Sequence, residues 1–220
     1  MIITYYGLQF FKLQVGDLVI AVNPIAKGSK EKTARFGANI ALITTNHPDM
    51  NGAEQVTHGD KKPFVANGPG EYEVEGVPIR GFLTKTKYGS AASPQGGKGE
   101  RPNTIYFFSI DSLDVCFLGA LDDATIPPDV YEKIYNVDIL FVPVGGGEVL
   151  TPSAAYKLAL SFEPKLIIPM HYGEASSKEL KTFLDEAGAE NARPEEKLTL
   201  KKKDVESKTG EVVVLKPLTS

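Results

Sequence analysis

Three short apolar runs constrain this chain more than any other feature of its sequence. Residues 38–45, 139–142 and 166–168 read as strands that are apolar on both faces, and each stops at polar or turn-forming residues. A strand buried on both faces belongs in a sheet that is covered on both sides, which is the α/β arrangement. Two of the runs end at residues with chemistry to offer, Asn46-His47-Pro48-Asp49 and Pro169-Met170-His171-Tyr172-Gly173. Function in such sheets collects at the carboxyl ends of strands.

The rest of the chain fits around those runs. Residues 1–6, 10–14 and 18–22 alternate as short strands, with a turn at Gly16-Asp17. Residues 71–74 and 77–81 form a hairpin that reverses at Glu75-Gly76, and residues 104–110 and 113–118 pair across Asp111-Ser112. Residues 127–135 read as a helix capped by Thr125, and Thr151-Pro152 opens another with its cap and first-turn proline in place. A third helix follows the last apolar run, with a capping box of Ser176 and Glu179, a stripe of Leu180, Phe183, Leu184 and Ala187, and Gly188 at its end. Residues 197–200 and 211–215 close the chain as strands. Residues 85–102, rich in glycine and small polar residues, read as a loop long enough to be a lid.

At 220 residues the chain is read as one domain, 1–220. A formal net charge of -4 argues against a nucleic-acid or anionic-membrane partner. The basic run Lys201-Lys202-Lys203 is read as a solvated strand edge. The single Cys116 lies in an apolar run and reads as a buried structural thiol. With neither a basic leader nor an apolar run of about 20 residues, the protein is expected in the cytoplasm. Gly145-Gly146-Gly147 reads as a tight strand-to-helix connection, since no phosphate-binding lysine pattern accompanies it. His58 reads as a surface loop residue.

The segment Ile43-Thr44-Thr45-Asn46-His47-Pro48-Asp49-Met50 resembles the Thr-His-x-His-x-Asp-His loop of the metallo-β-lactamase fold. Further segments match the same superfamily in order, particularly its lactonase-like branch of Zn-dependent hydrolases. These are Gly68-Pro69-Gly70-Glu71-Tyr72-Glu73, Pro102-Asn103-Thr104-Ile105, Leu118-Gly119, Val142-Pro143-Val144-Gly145-Gly146 and Ile168-Pro169-Met170-His171-Tyr172. The resemblance implies an αββα sandwich, α/β in class, with a pair of zinc ions between the sheet edges that generate hydroxide for hydrolysis.

Carried over position by position, the resemblance also implies that most ligands of that pair have been replaced. Thr45, Met50, Thr86 and Ala120 stand where the family carries ligands, Leu8 replaces the early histidine, and Asn23 an aspartate. With only three histidines in the chain, the surviving donors are His47, Asp49 and His171, with Asp122 or Asp123 near enough in sequence to lean in. Asp49 is the residue that would carry catalysis. Thr45, Met50, Thr86, Ala120 and Tyr72 would line the pocket, and Lys85 and Lys87 could meet an anionic substrate. Two readings follow. A metal-free polar cluster in a non-catalytic or strongly diverged member is preferred to a mononuclear hydrolase of an ester, lactone or phosphoester holding one weakly bound zinc. A small-molecule ligand and a homo-oligomer are expected partners.

Overall fold

The computed structural model describes residues 1–60, 62–90 and 99–218. Strands β1 (Ile2–Tyr5), β2 (Phe11–Val15), β3 (Leu18–Val22), β4 (Ile40–Leu42) and β5 (Phe64–Ala66) share one sheet with β12 (Lys197–Thr199). The second sheet contains β6 (Gly70–Val74), β7 (Val77–Thr86), β8 (Arg101–Ile110), β9 (Leu113–Phe117), β10 (Ile139–Pro143), β11 (Leu166–Met170) and β13 (Glu211–Val212). Their spatial orders are β12-β1-β2-β3-β4-β5 and β13-β11-β10-β9-β8-β7-β6. Both sheets are mixed. The β6–β7–β8–β9 meander is antiparallel, whereas β9, β10, β11 and β13 run parallel.

Turn chemistry explains the hairpins. Glu75 and Gly76 both adopt left-handed backbone (φ 50 and 77), as do Asp111 and Ser112 (φ 53 and 61). Two consecutive positive φ values give the turn twist that suits right-twisted strands.

One core cluster joins the two sheets, and aromatic rings are its centre. Phe11 of β2 stacks on Tyr5 at 4.5 Å and meets Phe141 of β10 edge to face at 4.8 Å, and Phe141 lies 5.3 Å from Phe117. Helices α1 (Pro128–Tyr131), α2 (Pro152–Ser161), α3 (Lys178–Glu186) and α4 (Lys202–Val205) all add residues to this cluster. The far face of the first sheet differs. Phe10, Ala21, Ile25, Ala38, Ala41 and Val56 form its cluster, and no α-helix contributes to it. Irregular chain and a 3-10 turn (Ala53–Val56) contribute to that cluster, and the two packed mixed sheets are those of the expected sandwich.

Several boundaries differ from the sequence reading. The run at 38–45 is a strand only over Ile40–Leu42, because beyond it the Thr44 amide donates to the Asn23 side chain instead of a neighbouring strand. Lys85 and Thr86 finish β7, while Arg101 and Pro102 begin β8, so the connection is shorter than 85–102; its residues 91–98 lie outside the described residues. Thr125 caps nothing. Its amide donates to Asp123, and α1 is a short helix behind Pro127. The cap of α3 is Ser177 rather than Ser176, its hydroxyl accepting from the Leu180 amide at 3.2 Å. The lysine run caps and begins α4 rather than edging a strand.

Asp138, just before β10, is fully buried and ties α4 to the second sheet. It accepts from Lys165 and Lys202, each at 2.7 Å, and from the Asp114 amide at 2.8 Å. Burial acts to raise its carboxyl; the hydrogen bonds from Lys165, Lys202 and Asp114 outweigh it and hold the group below the usual carboxylate range. A depressed carboxylate stabilises the fold above its unfolded-state value near pH 4 and loses that contribution as pH falls through its folded value. Asp138→Asn is therefore expected to cost about 1–3 kcal/mol at neutral pH. The difference from the parent chain should shrink in acid, as read by urea denaturation at both pH values.

A second stability test concerns Gly119, two residues beyond the end of β9. Its backbone is left-handed (φ +69), and a Cβ there would lie 2.3 Å from Asn103 Oδ1 and 2.9 Å from Thr44 Cβ. Gly119→Ala is expected to cost about 2–4 kcal/mol, from backbone strain plus a lost hydrogen bond. Gly210→Ala, also left-handed but in open space, should cost only about 1–2 kcal/mol.

Candidate functional site

Two buried asparagines hold the strand ends together. Asn23 accepts from the Thr44 amide at 2.8 Å and donates to Thr44 Oγ1 at 2.9 Å and to Gln9 Oε1 at 3.1 Å. The Gln9 amide in turn reaches His171 Nδ1 at 3.4 Å, so a polar chain crosses from the loop after β4 to the residue after β11. Asn103 of β8 donates to Thr84 Oγ1 at 2.8 Å and to the Leu118 carbonyl at 3.1 Å, and accepts from the Ala120 amide at 2.9 Å. It fastens β7 and the chain after β9 to β8, which gives the Pro102-Asn103-Thr104 segment a structural role.

Leu8, Asn23 and His171 all have left-handed backbone, with φ of 48, 48 and 60. Each such residue costs about 1–2 kcal/mol without a glycine's freedom. The His171 amide donates to the Leu8 carbonyl at 2.6 Å, and the Gln9 side chain links His171 to Asn23. Strain of this kind gathers at functional sites, where the surrounding packing enforces it.

Tyr88 brings the sequence-derived donors together. Its hydroxyl donates to Asp49 Oδ2 at 2.6 Å, and its ring stands edge to face against both His47 (5.1 Å) and His171 (5.3 Å). Asp49 also accepts from Ser29 Oγ at 2.5 Å, and its Oδ2 lies 3.4 Å from His47 Nδ1. Met50, Ala120 and Val149 pack with Tyr88 as a small buried apolar cluster. Gly89 allows this approach, because a Cβ on it would fall 2.5 Å from the His47 ring. One open face remains: a cleft of about 350 Å³ lined by residues 28–31 and by His47, Pro48 and Asp49.

The electrostatics follow from that packing. Burial lowers His171 to about 4, against the opposing pull of Asp49 and Glu148, so the imidazole is neutral near pH 7 and can accept from Gln9. Burial, then the hydrogen bond and charge of Asp49, push the Tyr88 phenol far up, so it stays a donor.

The remaining sequence-derived residues are placed as follows. Thr86 Oγ1 donates to the Ala120 carbonyl and accepts from the Tyr88 amide at 3.0 Å, so both line the Tyr88 cluster. Thr45 Oγ1 donates to the Pro102 carbonyl at 2.7 Å and lines a separate cleft of about 760 Å³ with Asn46, Asn67 and Thr104. Asp122 accepts from the Lys87 amide at 3.2 Å. No hydrogen bond or ring contact of Asp123 or Tyr72 reaches His47, Asp49 or His171. Asp123 is bonded to Thr125, and Tyr72 donates to the Gly68 carbonyl and packs on Phe64. Lys85 pairs with Glu100 at the surface, and His58 is exposed. Cys116 is buried, and burial raises its thiol.

Among the described residues, no group of three or more His, Cys, Asp or Glu converges closely enough to hold a metal ion. The residues outside the description, Lys61, 91–98, Thr219 and Ser220, include none of those types. Every buried side-chain nitrogen and oxygen among the described residues has a hydrogen-bond partner.

Sequence reasoning missed Tyr88, Gln9 and Ser29. The signal for Tyr88 was its place two residues after Thr86, where the family would carry a ligand, followed by a glycine. Met50 and Ala120 leave an apolar lining that an aromatic ring fills. Gln9 and Ser29 carry no local signal, because their partners are distant in the chain.

Comparison with known proteins agrees with this architecture. Residues 2–171 match the family model described as a beta-lactamase superfamily domain. A UPF0173 metal-dependent hydrolase of Lysinibacillus sphaericus is 23% identical over 195 residues, covering 78% of this chain and 85% of the relative. A UPF0173 protein of Pyrococcus abyssi is 25% identical over 190 residues, covering 79% and 84%. Among solved structures, a Thermotoga maritima protein described as a candidate Zn-dependent hydrolase of the metallo-beta-lactamase superfamily superposes with a TM-score of 0.73. It is 26% identical and covers 97% of both chains. Igni18 of Ignicoccus hospitalis, described as a metallo hydrolase, shares the fold with a TM-score of 0.58 at 18% identity, covering 99% and 96%. The chain belongs to the beta-lactamase superfamily and has the metallo-β-lactamase fold.

Proposed function

We propose that this chain is a non-catalytic or strongly diverged member of its family, with a hydrogen-bonded phenol standing where the fold carries a metal pair. The observation that carries the reading is Tyr88, which donates to Asp49 while its ring meets both His47 and His171. Zinc needs several imidazole or carboxylate donors aimed at one point. Here Asp49 is already engaged by two hydroxyls, His171 Nδ1 by Gln9, and Met50 and Ala120 replace charge with apolar surface. The residues present do not fit the paired ion. A fully satisfied polar cluster is stable without one.

A mononuclear hydrolase using His47, Asp49 and His171 is the second reading. The names of the relatives as metal-dependent hydrolases and the cleft that reaches His47 and Asp49 favour it. The wider reading includes a small-molecule ligand, no nucleic-acid partner, a cytoplasmic location and a homo-oligomer. The net charge of -4 supports the second of these, and the buried Cys116 the third. No helix among the described residues is long and apolar enough to cross a membrane.

Metal content tests the proposal directly. Purified without chelator, the chain is expected to hold under about a tenth of an ion of zinc, manganese or iron and to show no thermal shift on adding them. A stoichiometric ion that disappears in both His47→Ala and His171→Ala overturns it. Tyr88→Phe separately measures the phenol. Loss of its bond to Asp49 should cost about 1–3 kcal/mol in urea denaturation; no cost would show that the hydroxyl does not stabilise the cluster.

A further inference from the structure

A cleft of about 630 Å³, lined in part by Leu8, shares no residue with the apolar cluster of Tyr88. Its walls come from five stretches of chain: residues 6–8, Ile25, residues 30–32, residues 173–175 and residues 216–218. The volume is that of small-molecule sites, and the floor is apolar, built by Tyr6, Leu8, Ile25 and Pro217. Tyr6 is held by ring contacts with Phe10 at 4.9 Å and Phe36 at 5.5 Å, and Leu8 by its left-handed backbone.

The walls are fixed before any ligand arrives. Thr33 Oγ1 donates to the Ile25 carbonyl at 2.6 Å and Ser29 Oγ to Asp49, so the segment between them is fastened at both ends. The opposite wall is pinned by the Lys216 amide on the Glu195 carbonyl (2.7 Å) and the Leu218 amide on the Tyr5 carbonyl (2.8 Å). A preorganised pocket loses little entropy on binding.

Charge selects the ligand class. Lys30, Lys32 and Lys216 line the cleft, all exposed, and none makes a salt bridge among the described residues. Two carboxylates, Glu31 and Glu174, stand beside them; Glu174 accepts from Ser176 Oγ at 3.5 Å. The cleft is thus locally cationic on a chain of net charge -4. Cations above an apolar floor complement a molecule with an anionic head and an apolar body.

We propose that this cleft is a binding site for small amphipathic monocarboxylates, the carboxylate at the Lys30, Lys32 and Lys216 rim and the hydrocarbon against Tyr6, Leu8 and Ile25. The site rests on its own walls and stands whichever reading of the Tyr88 cluster holds. It is tested with the full-length chain and decanoate, kept below its micelle concentration, followed by calorimetry and by amide NMR shifts. Decanoate is expected to bind saturably, with shifts centred on residues 6–8, 30–32 and 173–175. Neutralising the rim in a Lys30→Ala, Lys32→Ala, Lys216→Ala chain should weaken it by about tenfold or more. These lysines are exposed, so the variant should fold like the parent; Ala175→Trp, which adds bulk to the wall, should weaken binding with the rim intact. Absence of saturable binding overturns the proposal. So does 1-decanol binding as tightly as decanoate, an unchanged affinity in the triple variant, or shifts that centre elsewhere.

Discussion

The inner faces of the two sheets must bury each other, and the rest of the molecule is arranged by that requirement. Phe11 from one sheet is held against Phe141 from the other, and Phe141 against Phe117. Burying each such side chain contributes about 1.5–3 kcal/mol, and each well-placed aromatic pair about 0.5–1.5 kcal/mol more. Once these rings are packed, the carboxyl ends of β4, β9, β10 and β11 come close together. The loops that follow them then have no choice about their neighbours. His171 meets Leu8 and Gln9, and Thr44 meets Asn23 and lies over Gly119.

What happens at that meeting point is decided by satisfaction of polar groups rather than by burial alone. An unpaired buried donor or acceptor costs about 1–3 kcal/mol. In an enzyme of this fold an ion would discharge that cost for its ligands. In this chain hydroxyls and amides satisfy the buried groups: Tyr88 and Ser29 on Asp49, Gln9 on His171, Asn23 on Thr44 and Gln9. These contacts are mutually consistent. Ala120 and Met50 make room and an apolar lining, Gly89 lets the backbone approach His47, and the Tyr88 ring fills the space. A cluster closed in this way helps to hold the strained Leu8, Asn23 and His171 backbone.

Much of the fold was legible because its signals are local. Leu18–Val22 is a strand over its whole expected length, the reversals at Glu75-Gly76 and Asp111-Ser112 adopt positive φ, and Thr151 caps α2. Errors fell where tertiary partners override a local signal. The strand after residue 38 ends early because the Asn23 side chain takes the Thr44 amide. The lysine run became helix α4, with Lys202 reaching Asp138 some sixty residues earlier in the chain. Ser177 took the cap from Ser176 because Leu180, Phe183 and Leu184 must face the core. Residues 24–37, with one proline, two glycines and scattered lysines, offer no helical stripe, and irregular chain packs against the Phe10 cluster there.

The candidate site divides in the same way. By itself the sequence determined the family and most of the sheet pattern, and it singled out His47, Asp49 and His171 as candidate donors at the strand ends. It also limited the histidines to three, a count that needs no coordinates. Only the tertiary structure decided which side chains surround those donors. Tyr88 lies far from both Asp49 and His171 in sequence, so its hydrogen bond and ring contacts exist only after β7 packs beside β8 and the two sheets close. The same closure left Asp123 and Tyr72 bonded elsewhere and set three lysines around the cleft lined in part by Leu8. Periodicity and turn chemistry act over a few residues and can be read along the chain. Which distant side chains share a volume is settled by packing two sheets face to face.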